Sequence, residues 1–194
     1  KVIHDQLAES DAAAELDKLA LEAVIYGTGV MKGPFNLKDT LHKYKQDPET
    51  RAITYVPVEK LIPKTNHVSI WNFYPDPSAE CLADAEYVIE KHILGRSKFR
   101  ALGKMPKMDK RVISEILKTP PKRVRDSWES TISDSQQGLE DDRYEVLEYW
   151  GSVDPEIAEQ FDIDVDTVDN LDSLQVNIWI CNGQVLRFVI NPFT

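Results

Sequence analysis

The chain has 194 residues, 42% of them apolar and 29% charged, and a formal net charge of −10. That gives room for one domain with a real core and excludes wholesale disorder, and no apolar run approaches the ~18 residues that a membrane helix needs. The two cysteines, Cys81 and Cys181, lie a hundred residues apart, which excludes a disulfide framework and fits a reducing compartment.

The first element is a helix. Asp11 is placed to cap it, or it begins earlier near Asp5, and it runs to about Tyr26. Leu16, Leu19, Ala20, Ala23 and Val24 recur at helical spacing, with Glu15, Lys18 and Glu22 on another face. Gly27 stops it, because a left-handed residue is cheap only for glycine. From Val30 to Pro77 the signals turn to strand and loop: "AITYVPV" is short and β-branched, and the aromatic-rich "HVSIWNFYPDP" ends in a Pro-Asp-Pro stop. "AEYVIEKHIL" alternates as a strand, with a helix as the alternative. Ser97 is positioned to cap a short helix over 98–103. Asp109 is positioned to cap another through Lys118, with Val112, Ile113, Ile116 and Leu117 as its apolar stripe and Pro120-Pro121 beyond it.

Residues 126–142 are polar and aperiodic and read as an exposed loop. "YEVLEYWGSVD" is a strand closed by glycine, and a short helix from Pro155 to Phe161 precedes an acidic loop. "LQVNIWIC-NG-QVLRFVI" carries the clearest local signal, two β-rich runs joined by the pair that best tolerates positive φ at both positions of a type I′ turn. The sum is an α+β fold, read as a single domain over 1–194. It has an N-terminal helix, short helices in the middle, and an antiparallel sheet with a C-terminal hairpin.

Charge is unevenly spread. Residues 91–125 hold twelve Lys/Arg against two acids, and residues 126–172 hold sixteen acids against Arg143 alone. Adjacent opposite blocks suit segments that face each other or face neighbouring copies of the chain. Lys98, Arg100, Lys104, Lys107, Lys110 and Arg111 are therefore the candidate subunit or partner interface. They are also the residues that a nucleic-acid-binding or adaptor module would use, although Phe99 is the only aromatic among them and gives no stacking series.

Motifs for catalysis are thin. Gly27, Gly29 and Gly33 follow a helix with G-x-G-x-x-x-G spacing, whereas a dinucleotide fingerprint needs G-x-G-x-x-G between a strand and a helix. Lys32 precedes Gly33, so the G-K-[ST] of a phosphate loop is absent, and the helix end reaching the loop is the negative end of its dipole. Asp162, Asp164 and Asp166 imitate the start of a calcium loop, but Thr167 and Ser173 stand where Gly and Glu are needed. His4, His42, His67 and His92 show no metal-ligand spacing with one another or with the cysteines. The tryptophans Trp71, Trp128, Trp150 and Trp179 read as core or interface anchors. The expectation is a protein that is not an enzyme and has no catalytic residues, cofactor or metal.

Four segments, "LALEAVIYGTGVMKGP", "FYPDPSAECLADAEYVIEKHIL", "YEVLEYWGSVD" and "VNIWICNGQVLRFVINPF", resemble in their order the portal (head-to-tail connector) proteins of tailed bacteriophages and their prophage relatives. The resemblance spans nearly all of the chain and implies the outer wing of a portal subunit. It implies a structural protein of the virion, assembled in the host cytoplasm as a homo-oligomeric ring, usually a dodecamer, at one capsid vertex. Its implied partners are the terminase large subunit, capsid and scaffold proteins, head-tail adaptors, and double-stranded DNA passing through the channel without sequence specificity. Family members are several hundred residues longer. With Lys1 in place of a methionine, the chain reads as a fragment whose stem and clip would follow Phe193, and which alone would lack most of the channel wall.

Overall fold

The computed structural model describes residues 11–46, 51–119, 121, 143–161 and 173–191. The class is α+β, and the chain divides into two compact units, Lys1–Trp71 and Asn72–Thr194. The acidic stretch around Asp162, the 126–142 segment, His4 and Trp128 lie outside the described residues.

In the first unit, helix α1 (Ala12–Tyr26) ends at Gly27, whose φ of 77° and N–H bond to the Ala23 carbonyl make the expected left-handed stop. Asp11 stands at the cap position, but its side chain makes no capping bond. Of the apolar residues at helical spacing, Leu19 and Ala23 are half-buried and Leu16, Ala20 and Val24 are exposed, while two acidic residues lie on the packed side. Glu15 accepts the His67 backbone N–H at 2.6 Å, Glu22 accepts from Ser69 Oγ and Ile70 N at 2.9 and 3.1 Å, and Tyr26 meets Trp71 edge-on. The carboxylates thus pin the helix to the end of a strand, while Leu16, Leu21, Ile25 and Val24 (84% exposed) face outward. Helical periodicity alone could not tell which side finds backbone donors.

Strands β1 (Val30–Gln46) and β2 (Ile53–Val68) pair antiparallel from Val30↔Val68 to Gln46↔Ile53, with a bulge between Lys32 and Phe35. The expected short strand at 52–58 is therefore part of a much longer one, which takes in Pro57 and Pro63. A proline is tolerated in a ribbon where its missing N–H would face the open edge, and these two occupy the same alternate set of β2 positions. "HVSIWNFYPDP" is divided among the end of β2, a 3₁₀ turn (Ile70–Asn72) and strand β3 (Phe73–Pro75). Asp76 then closes the stop, accepting from Ser78 N and Oγ and from Glu86 N.

The second unit is a five-stranded antiparallel sheet in the order β3-β4-β5-β6-β7. It is built from β3, β4 (Tyr87–Gly95), β5 (Arg143–Val153), β6 (Leu174–Cys181) and β7 (Gln184–Ile190). Helices α2 (Arg96–Leu102) and α3 (Lys110–Ile116) cover one face, where Phe99, Met108, Ile113 and Ile116 pack with Tyr144, Val146, Cys181 and Leu186. Phe99 stacks on Tyr144 at 4.5 Å and is fully buried, worth about 1.5–3 kcal/mol relative to exposure. Asp109 caps α3 as expected, accepting from Arg111 N and Val112 N. Ser97 does not cap α2: it lies inside the helix, and Gly95 holds the cap position. On the opposite face, α4 (Pro155–Glu159) inserts Ala158 among Leu174, Val176 and Ile178.

Two turn expectations have different outcomes. Asn182 and Gly183 adopt φ of 51° and 75° and join β6 to β7, as their chemistry predicts. Gly151 does not close β5, which continues through it to Val153. A Cβ there would lie 2.5 Å from the Glu86 carbonyl and 2.6 Å from Tyr87 Cβ, so glycine admits the neighbouring strand instead of ending its own.

Candidate functional site

Two features of the second unit concentrate chemistry. The first is the basic surface. Lys98 and Arg100 on α2, Lys104 and Lys107 in the connection, and Lys110 and Arg111 on α3 are all exposed. The helices present them because Phe99, Met108, Ile113 and Ile116 take the inward positions between them. Phe99 therefore stands in the core and is not available to stack on a base.

The second feature is a polar cluster on the sheet face that α2 and α3 also cover. Strand alternation places Glu90 and His92 of β4, Glu148 and Trp150 of β5, Asn177 and Trp179 of β6, and Arg187 of β7 on that face. Glu148 is the hub and is only 3% exposed. Its Oε1 accepts from Trp150 Nε1 at 2.8 Å and Asn177 Nδ2 at 3.3 Å, and its Oε2 lies 2.8 Å from His92 Nε2. His92 Nδ1 is 3.6 Å from Glu90 Oε1. The imidazole lies parallel to the Trp179 indole at 5.1 Å, and Trp179 Nε1 donates to Asn177 Oδ1 at 2.9 Å. Arg187 completes the group: burial pulls its guanidinium below the ordinary value, and the Glu148 charge opposes that shift.

Sequence patterns had a faint signal for this cluster. Glu90-x-His92, Glu148-x-Trp150 and Asn177-x-Trp179 each put two polar-tipped side chains on one face of a strand. What linear spacing lacks is the register that sets Glu90 opposite Glu148, and Trp150 opposite Asn177.

The remaining candidates are dispersed. His42 Nδ1 lies 2.6 Å from Tyr55 Oη on the ribbon, and His67 Nε2 lies 3.0 Å from Glu22 Oε2. Burial raises the Cys181 thiol to about 11, with the Glu145 charge adding to the shift, whereas Cys81 is exposed. The Gly27–Gly33 stretch is the exit of α1 into β1, as its spacing suggested. Among the described residues, no helix is long and apolar enough to cross a membrane. Compared with known proteins, the chain matches no family model and no curated protein.

Proposed function

We propose that this chain is the wing-region part of a structural portal subunit, whose work is to make contacts within a ring at the capsid vertex. The observation that carries the reading is the amount of apolar surface on the first unit. Tyr44 and Ile53 on the β1–β2 ribbon are 69% and 72% exposed, and Tyr55, Leu61 and the outward side of α1 add to them. An isolated two-stranded ribbon is marginal in water, and exposed apolar patches of this kind mark association surfaces. Together with the order of the four portal-like segments, this favours an assembly subunit over a catalyst. The ring would guide double-stranded DNA and dock the terminase, scaffold and adaptor proteins.

Ring subunits meet through heterologous contacts, in which one face complements a different face of the next copy. The exposed Lys98–Arg111 surface is suited to one side of such a contact. Full-length protein carrying glutamate at Lys98, Arg100, Lys104, Lys107, Lys110 and Arg111 is expected to fold but to assemble poorly by native mass spectrometry. Normal rings from that variant would remove the basic surface from the interface. A full-length wild-type protein that stays monomeric would overturn the portal reading itself.

The same six cations support a second reading, a nucleic-acid-binding or adaptor module. Titration with duplex DNA at two salt concentrations separates the two. A binder shows micromolar or tighter affinity with a steep salt slope, and a wing subunit shows little binding at either salt.

A further inference from the structure

We infer that Glu90, His92 and Glu148 form a site for a first-row divalent metal ion, with zinc the best match to their donor atoms. The three residues offer one donor atom each, all within 4.8 Å of one another. One imidazole nitrogen and two carboxylate oxygens make a mixed set that zinc accepts, with a fourth position left for water.

Sheet geometry makes this set unusual as mere packing. Glu90 and Glu148 stand directly opposite each other on adjacent strands, and like charges in that relation repel. Arg187 lies near enough to Glu148 to feel its charge, and a cation between the two carboxylates would relieve their mutual repulsion.

The surroundings of the donors also match what holds metal ligands in place. Trp150 Nε1 and Asn177 Nδ2 both bind Glu148 Oε1, which leaves Oε2 directed at His92. Trp179 stacks on the imidazole and is tied to Asn177. Outer partners that fix the angle of a ligating carboxylate and the plane of a ligating histidine are the usual support of such sites. Access comes from the β4 side, since the side chains of His92 and Glu90 are 23% and 16% exposed against 4% for Glu148. Donors around a tetrahedral ion sit about 3.3 Å apart, so these atoms, which lie within 4.8 Å of one another, must draw together on one imidazole nitrogen, and the less buried Glu90 is the residue placed to move.

The competing reading is a plain hydrogen-bond network, because the two ring nitrogens of His92 face different carboxylates. Chelator-treated 194-residue chain is therefore titrated with zinc chloride by calorimetry at pH 7, and with Co²⁺ to read the d–d absorption of a bound ion. The expected result is one equivalent bound with micromolar or tighter affinity, and a melting temperature about 5–10 °C higher at a hundredfold excess over Kd. His92→Ala and Glu90→Gln should each weaken binding at least tenfold, while His42→Ala should leave it unchanged, with far-UV circular dichroism confirming the fold of every variant. If His92→Ala does not fold, anomalous scattering from zinc-soaked wild-type crystals decides. A peak among Glu90, His92 and Glu148 supports the site. The inference is overturned by a peak only at His42, His67 or Cys81, by no saturable uptake in the wild type, or by uptake that the His92 and Glu90 variants leave intact.

Discussion

Removing the Glu148 carboxylate tests whether the polar cluster holds the second unit together. Glu148→Ala strips the acceptor from Trp150 Nε1, takes one of the two acceptors from the Asn177 amide, and leaves His92 Nε2 facing an empty space. It also takes away the charge that opposes the burial of Arg187. A hydrogen bond to a charged group is worth about 1.5–3 kcal/mol, and breaking one side of a buried ionic network costs about 3–5 kcal/mol. The expected loss is therefore about 3–5 kcal/mol, or roughly 6–20 °C in melting temperature for a chain of this size. Glu148→Gln keeps an oxygen for Trp150 and Asn177, but it turns the oxygen facing His92 into an amide and removes the charge that Arg187 feels, so an intermediate loss of about 1–3 kcal/mol is expected. Urea unfolding followed by tryptophan fluorescence measures both, since Trp150 and Trp179 sit in the cluster. A double-mutant cycle with Trp150→Phe should return a coupling of about 1 kcal/mol or more. If Glu148→Ala stays within about 1 kcal/mol of the wild type, the cluster is not a stabilising hub and the reasoning fails.

Other consequences are more local. The Lys18 and His67 donors hold the Glu15 carboxyl below its ordinary value of 4.5; burial pushes Glu22 upward, but Ser69, His67 and Ile70 outweigh it and leave that group lowered too. Depressed carboxylates stabilise the folded state above the unfolded pKa, and that stability is lost as pH falls through the folded values. Acid unfolding of the first unit, read by helix signal below pH 4.5, should therefore flatten in Glu15→Gln with Glu22→Gln; an unchanged acid limb would remove the two carboxylates from the helix-to-strand link. Gly183→Ala should cost about 1 kcal/mol through its φ of 75° alone, since a Cβ there meets nothing, whereas Gly151→Ala should cost about 1–3 kcal/mol through contact with Glu86 and Tyr87. Thermal denaturation distinguishes them, and a neutral Gly151→Ala would mean that the strands are not so closely apposed. Thiol titration of native protein should modify Cys81 quickly and Cys181 only after unfolding, because Cys181 is buried with its thiol raised to about 11. Equal rates would contradict its burial.

Composition and local chemistry alone determine a good part of this protein. The helix stop at Gly27, the Asp109 cap, the Asn182-Gly183 turn and the α+β class all follow from one or a few neighbouring residues, because φ preference, capping and periodicity are local properties. Tertiary structure decides whatever depends on a distant partner. It turns Glu15 and Glu22 inward because strand donors wait there, and it carries β2 through two prolines because β1 pairs along its whole length. It runs β5 past Gly151 because Tyr87 lies against it. Glu90, His92, Glu148 and Asn177 meet for the same reason: no local preference records which residue of one strand stands opposite which residue of another, and strand register alone sets that relation.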